Sequence, residues 1–193
     1  MYSLAIALAL LASTALSRSD LVIQTTEGPV QGISLASGVR QFLGIPFAAT
    51  TGGANRWKDP KPPSPFPSGT TFQATAFGPS CFQNLNIPNE LFLETVNQAG
   101  PLVQSENCLN LNIWTPPTSR PQKTAVMIWI YGGSLEFGSV RTMANASKYL
   151  NTVQSNISAY VGENFVKNND DVTIVSFNYR FVKMLCWLLN TNA

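Results

Sequence analysis

The sequence predicts a mixed α/β sheet, and three features predict it. Residues 125–130 are a continuous apolar run, the signature of a strand covered on both faces, and residues 172–178 read as a second buried strand. Residues 109–114 alternate apolar and polar side chains and end at Pro116 and Pro117, as a half-buried strand does. Loops and a partly helical stretch, residues 147–168, separate these strands, the alternation that builds such a sheet. At 193 residues the chain suits one ordinary domain, and 45% hydrophobic content is enough to build its core.

Along the chain, residues 4–16 form an apolar stretch too short to span a bilayer as a stable helix. Ala15, Leu16 and Ser17 supply the small residues that a signal peptidase reads, so residues 1–17 are expected to be a signal peptide and the protein to be secreted. Residues 21–25 and 30–33 flank Glu27, Gly28 and Pro29 as a short hairpin. Residues 40–45 follow as a third strand, ended by Pro46. Residues 50–80 hold Pro60, Pro62, Pro63, Pro65 and Pro67 and predict a long ordered loop, with Trp57, Phe66, Phe72 and Phe77 as apolar anchors. Residues 89–98 read as a short helix.

Composition excludes several functions. A net charge of +2 with no basic run argues against nucleic acid or an anionic membrane as partner, since both need clustered Lys and Arg. Charged residues make up 11% of the chain, less than half the usual share of about 25%. There is no histidine, which removes the usual general base, the usual imidazole metal ligand and the usual switch near neutral pH. Three scattered cysteines without histidine make no metal site, and no cofactor is expected. Cys81 and Cys108 lie 27 positions apart, and a bridge between them would stabilise by ~3–4 kcal/mol if unstrained. Cys186 is left over. Asn145 and Asn156 head glycosylation triplets, Asn-Ala-Ser and Asn-Ile-Ser.

Seven segments then carry a family resemblance: GPVQG (28–32), VRQFLGIPFA (39–48), RWKDPKPP (56–63), GPSCFQ (78–83), SENCLNLNIWTP (105–116), AVMIWIYGGSLEFGS (125–139) and DVTIVSFNYR (171–180). In this order they resemble the type-B carboxylesterase/lipase family, cholinesterase-like α/β-hydrolases, and suggest a fungal-type secreted member. The resemblance implies an α/β-hydrolase fold whose antiparallel edge strands lead into a mixed, mostly parallel central sheet, here its N-terminal part only. It also implies a disulfide between Cys81 and Cys108 and a structural salt bridge between Arg56 and Glu106. The residues themselves leave that pair open to a plainer reading, two solvated charges worth about 0–1 kcal/mol.

The segment with chemistry in it is Tyr131-Gly132-Gly133-Ser134. By resemblance the backbone N–H groups of Gly133 and Ser134, with Gly132 supporting, form an oxyanion hole for acyl transfer. Glycine suits this role because the donors must face the substrate without a Cβ in the way. Ser134 stands where the family more commonly has a third glycine, and a backbone donor survives so small a side chain. Taken alone, the motif is also consistent with a tight turn leaving a strand. Ser134 has no base near it in sequence, and Gly32-Ile33-Ser34-Leu35-Ala36 is an accidental match to a nucleophile elbow.

In α/β-hydrolases the triad runs Ser, then Asp or Glu, then His, with the Ser on a G-x-S-x-G elbow beyond the oxyanion loop. No triad member is recognisable here: an elbow in that position, a histidine and a Ser-x-x-Lys alternative are all lacking. The expectation is therefore a carboxylic ester hydrolase by family, acting on ester or lipid substrates through an acyl-enzyme in a longer parent. This chain itself is expected to be truncated before the nucleophile, catalytically incompetent, and prone to aggregate through strands that lack parallel neighbours. The alternative is a non-catalytic secreted scaffold or adhesion-like member of the same fold.

Within the partial domain, residues 18–180, two stretches depart from the family pattern: a candidate insertion at 140–154 and a tail at 181–193. Excising the insertion yields SLEFGSSNISAYVGENFV, a closer match. We hypothesise that both stretches are translated intron, so abundant mature transcripts retaining them would refute it.

Overall fold

A computed structural model describes residues 19–83, 103–120, 123–132, 138, 139 and 162–180. The expected helix at 89–98, the insertion at 140–154, Cys186 and the 181–193 tail lie outside the described residues, as does the expected signal peptide apart from its flank.

Among the described residues, eight strands form two sheets. β1 (Val22–Thr25) and β2 (Gly28–Gln31) make the expected antiparallel hairpin, with Thr25 opposite Gly28 across the turn. Gly28 takes φ +129°, a conformation that side chains rarely adopt, which explains glycine at the end of so tight a turn. β5 (Phe72–Gln73) adds to β2 in parallel and completes a three-stranded sheet. β5 was not expected, because two residues are too few to show a period, and the strand expected at 30–33 is divided between β2 and a separate β3 (Ile33–Ser34).

The larger sheet runs β3-β4-β6-β8-β7. β4 (Arg40–Pro46), β6 (Asn110–Thr115) and β8 (Val172–Phe177) pair antiparallel in turn, while β7 (Ala125–Trp129) joins β8 in parallel. The one α-helix among the described residues, α1 (Gly162–Asn168), precedes β8 and packs against β6 and β8. This is the arrangement the resemblance implies, an antiparallel edge leading into a parallel pair. A Cβ on Gly162 would lie 2.5 Å from the Trp114 ring, so glycine lets the helix start close against β6.

Three buried clusters tie the sheets together. Val39, Leu43, Trp114, Val166 and Ile174 lie under α1. Val30, Phe42 and Ala74 join the two sheets, flanked by Phe66 and Phe72, whose rings stack with centroids 5.1 Å apart. Ala48, Cys81, Cys108, Leu109 and Tyr131 form the third, next to Tyr179. Of the expected loop anchors, Phe66, Phe72 and Phe77 take part in this packing. Trp57 does not: it is 51% exposed, so its expected role is corrected.

Two strands differ from their sequence reading. β6 lies between β4 and β8, and Asn110, Asn112 and Trp114 are its buried side chains, so it is a central strand with a polar buried face rather than a half-buried one. Its asparagines are held by hydrogen bonds, Asn112 Oδ1 accepting from Gly44 N–H at 2.9 Å and Asn110 Nδ2 donating to Pro79 and Cys108 carbonyls, while Asn110 Oδ1 is buried without a partner. β7, expected to be covered on both faces, is exposed along its whole length. It lies at the edge of the described sheet, and Val126, Met127, Ile128 and Trp129 are 38–63% exposed.

Candidate functional site

β7 delivers the chain to the glycine-rich segment. Parallel pairing with β8 carries it as far as Trp129 opposite Ser176, and Tyr131 and Gly132 follow at the strand's C-terminal end. Gly133 and Ser134, the expected oxyanion donors, lie outside the described residues. Gly132 is exposed, and among the described residues a Cβ built on it would meet nothing within 4 Å.

The entering limb of this segment is locked by two tyrosines. Tyr131 is 7% exposed and stacks on Tyr179 with ring centroids 4.4 Å apart. The Tyr179 hydroxyl donates to the Tyr131 carbonyl, and the Tyr131 hydroxyl accepts from the Tyr179 N–H at 3.3 Å. Each ring thus holds the other residue's backbone. Burial pushes the Tyr131 phenol well above the usual tyrosine range, outweighing the bond from Tyr179 that favours the phenolate. Burial also raises Tyr179.

The leaving limb is held from the other side. Gly138, at φ +132°, donates its N–H to Gln83 Oε1 at 2.7 Å, and Gln83 Nε2 donates back to the Gly138 carbonyl at 3.1 Å. Ser139, 1% exposed, shares a hydroxyl–hydroxyl bond with Ser80, which is fully buried. No sequence signal singled out Gln83. It closes the GPSCFQ segment, but glutamine as a residue type points to no particular chemistry.

The other expected site residues fall as follows. Cys81 and Cys108 are joined by a disulfide and buried in the cluster that also contains Tyr131. Arg56 forms a salt bridge with Glu106, the arginine side chain 41% and the glutamate 16% exposed. Glu106 is further anchored through its backbone, whose carbonyl accepts from Thr51 Oγ1 at 2.6 Å. Ser34, in the accidental elbow match, sits exposed on β3 opposite Arg40. Asn145 and Asn156 lie outside the described residues.

Asn178, fully buried, connects the site to the sheet: its Nδ2 donates to the carbonyls of Pro79 and Cys108, each at 3.0 Å. The disulfide-linked segment and the end of β8 are thereby fixed to one another beside the two tyrosines. Among the described residues no group of His, Cys, Asp or Glu is placed to hold a metal ion, and no helix is long and apolar enough to cross a membrane.

Comparison with known proteins places this geometry. The model of the carboxylesterase family matches residues 19–189. The chain is 37% identical to an acetylcholinesterase of Danio rerio over 167 residues, covering 83% of the chain and 23% of that protein. It is 38% identical to a fumonisin B1 esterase of Sphingopyxis macrogoltabida over 160 residues, covering 83% of the chain and 24% of the esterase. Among solved structures, a PNB esterase is 29% identical at a TM-score of 0.64, over 83% of this chain and 28% of that one. A Geobacillus stearothermophilus carboxylesterase is 30% identical at a TM-score of 0.59, over 83% of this chain and 26% of the enzyme. The chain thus spans about a quarter of the length of the relatives it matches, 23% and 26% for the acetylcholinesterases of Danio rerio and Electrophorus electricus.

Proposed function

Since the chain belongs to the carboxylesterase family, we propose that the protein it forms part of hydrolyses carboxylic esters through an acyl-enzyme, this chain contributing the oxyanion hole. The backbone N–H groups of Gly133 and Ser134 are the donors, with Gly132 leaving space for the substrate. A single such donor contributes ~2.7–4 kcal/mol to the transition state. The observation that carries the reading is that both limbs of the glycine-rich segment are anchored at the C-terminal end of a parallel strand, Tyr131 by Tyr179 and Gly138 by Gln83. Donors that are fixed in advance need no reorganisation as charge develops, which is what oxyanion stabilisation requires.

The division of labour follows from residue types. These 193 residues contain no histidine, and no elbow serine follows the glycine-rich segment, so the attacking hydroxyl and its base must come from elsewhere. Purified chain assayed on a short-chain nitrophenyl ester is expected to match a heat-treated control. Turnover clearly above that control would overturn the assignment. Reading the genomic sequence beyond the codon for Arg180 provides the complementary test: an in-frame elbow with a downstream histidine supports the enzyme, and a degenerate one supports a non-catalytic scaffold.

The secreted, fungal-type setting, the signal peptide at 1–17 and glycosylation at Asn156, and at Asn145 if residues 140–154 are genuine, are proposals resting on the sequence alone. Expression in a secretory host followed by glycosidase treatment tests them together. Intracellular retention with no change in mobility would reject them.

A further inference from the structure

We infer that Gln83 is a positioning residue for the glycine-rich segment, its side-chain amide holding Gly138 at the segment's far end. The inference rests on the reading of that segment as the oxyanion loop. Gln83 touches no reacting group; it acts through Gly138.

Its geometry is that of a strand partner supplied by a side chain. Oε1 accepts the Gly138 N–H at 2.7 Å, and Nε2 donates to the carbonyl of the same residue at 3.1 Å. A side-chain amide offers an acceptor and a donor side by side without carrying charge. The amide is itself held: Nε2 also donates to the Cys81 carbonyl at 3.3 Å, and the Gln83 backbone N–H donates to Gln104 Oε1 at 2.8 Å. Cys81 in turn is tied to Cys108 by the disulfide. The anchor therefore reaches Gly138 from a covalently fixed point two residues away. Beside it, Ser80 and Ser139 share their buried hydroxyl–hydroxyl bond, so two successive residues at the segment's end are gripped by residues flanking Cys81. Gly138 is also confined on its other side, where a Cβ would lie 2.6 Å from the Tyr131 ring.

Two variants separate the parts of this arrangement. Gln83→Met keeps length and volume but removes both bonds to Gly138, whereas Gln83→Glu keeps the acceptor and loses the donor at neutral pH. Amide hydrogen exchange read by NMR is expected to quicken about tenfold at Gly138 in Gln83→Met, the effect of losing one to two ordinary hydrogen bonds, with a smaller change in Gln83→Glu. The Val175 amide in the middle of β8 serves as the internal control and is expected to stay within twofold, on the order of measurement scatter.

Unchanged exchange at Gly138 would overturn the inference, as would an equal rise at Val175, which would mean general loosening of the sheet. In the intact esterase carrying this chain, Gln83→Met is expected to lower kcat by roughly 10–100-fold with KM within about twofold, because misplacing a preset donor weakens only the transition state. Gly138 loosened with kcat unchanged would also refute a positioning role. A wild-type intact protein without turnover would reject the esterase reading instead, while the exchange measurement still decides whether Gln83 holds Gly138.

Discussion

Gly138→Ala should be far more damaging than an alanine placed at another glycine with a left-handed backbone. At Gly138 the backbone has φ +132°, so any side chain is strained by about 1–3 kcal/mol. The added Cβ would also lie 2.6 Å from Tyr131 Cδ2 and 2.8 Å from the Gly132 carbonyl oxygen. The Tyr131 ring cannot swing aside cheaply, because it stacks on Tyr179 and its hydroxyl accepts the Tyr179 N–H. Overpacking of this kind costs about 1–3 kcal/mol more. The expected total is about 2–6 kcal/mol.

Gly38 supplies the control. It has φ +83° in the turn between β3 and β4, but a Cβ there meets nothing within 4 Å. Gly38→Ala should therefore cost only the backbone part, about 1–2 kcal/mol. Urea unfolding followed by fluorescence of the buried Trp114 separates the two variants. With a urea dependence of about 1–3 kcal/mol per molar, an excess of ~2 kcal/mol moves the midpoint by about 1 M. Equal midpoints for the two variants would show that the Tyr131 ring yields freely and that the leaving limb is not confined as described.

Three further outcomes are expected. Replacing Cys81 and Cys108 together by alanine frees a loop with a sequence separation of 27 and should destabilise by roughly 3.5 kcal/mol on the chain-entropy relation, measured as a lowered urea midpoint against the oxidised chain. Arg56→Ala should cost no more than about 1 kcal/mol, since the arginine is 41% exposed and solvent screens the pair; a double-mutant cycle with Glu106→Ala that returned several times this coupling would contradict it. Alkaline pH should destabilise the fold through Tyr131. Its folded-state pKa is raised by burial, so its contribution is intact below the unfolded value near 10 and is lost as pH rises above it, at up to about 1.4 kcal/mol per pH unit. Tyr131→Phe should flatten stability curves measured between pH 9 and 11, and an unchanged slope would count against burial as the cause.

The parts of the fold legible in the sequence are those coded locally. The β1–β2 hairpin follows from a turn with glycine at its end, and β4, β7 and β8 follow from runs of apolar and β-branched residues. β5 was hidden because its identity lies in a parallel partner more than 40 positions earlier, Val30 opposite Phe72, and no two-residue pattern encodes that. β6 misleads for a different reason. Its alternation is real, but burial follows the asparagines and Trp114, and only the three-dimensional surroundings supply the carbonyls and N–H groups that hold the buried asparagines. In the site, Tyr131 and Gly132 were visible as the end of an apolar strand running into glycines. Gln83 was not, because a glutamine acquires meaning here only from the Gly138 backbone placed against it.

The exposure of β7 bears on how that site is built. Ala125–Trp129 carries no lysine, no proline and no bulge, the usual protections of a strand that ends a sheet. Its residue types are those of an interior strand, and on its bonded side β8 matches it residue for residue from Ala125–Val172 to Trp129–Ser176. Gly132 and Gly133 carry no side chains, and the described residues on either side of them are held by other parts of the fold. Tyr179 holds the entering side from the end of β8, and Gln83 the leaving side from beside the disulfide. The two described ends of the segment, Tyr131 and Gly138, are thus restrained by groups attached elsewhere in the fold.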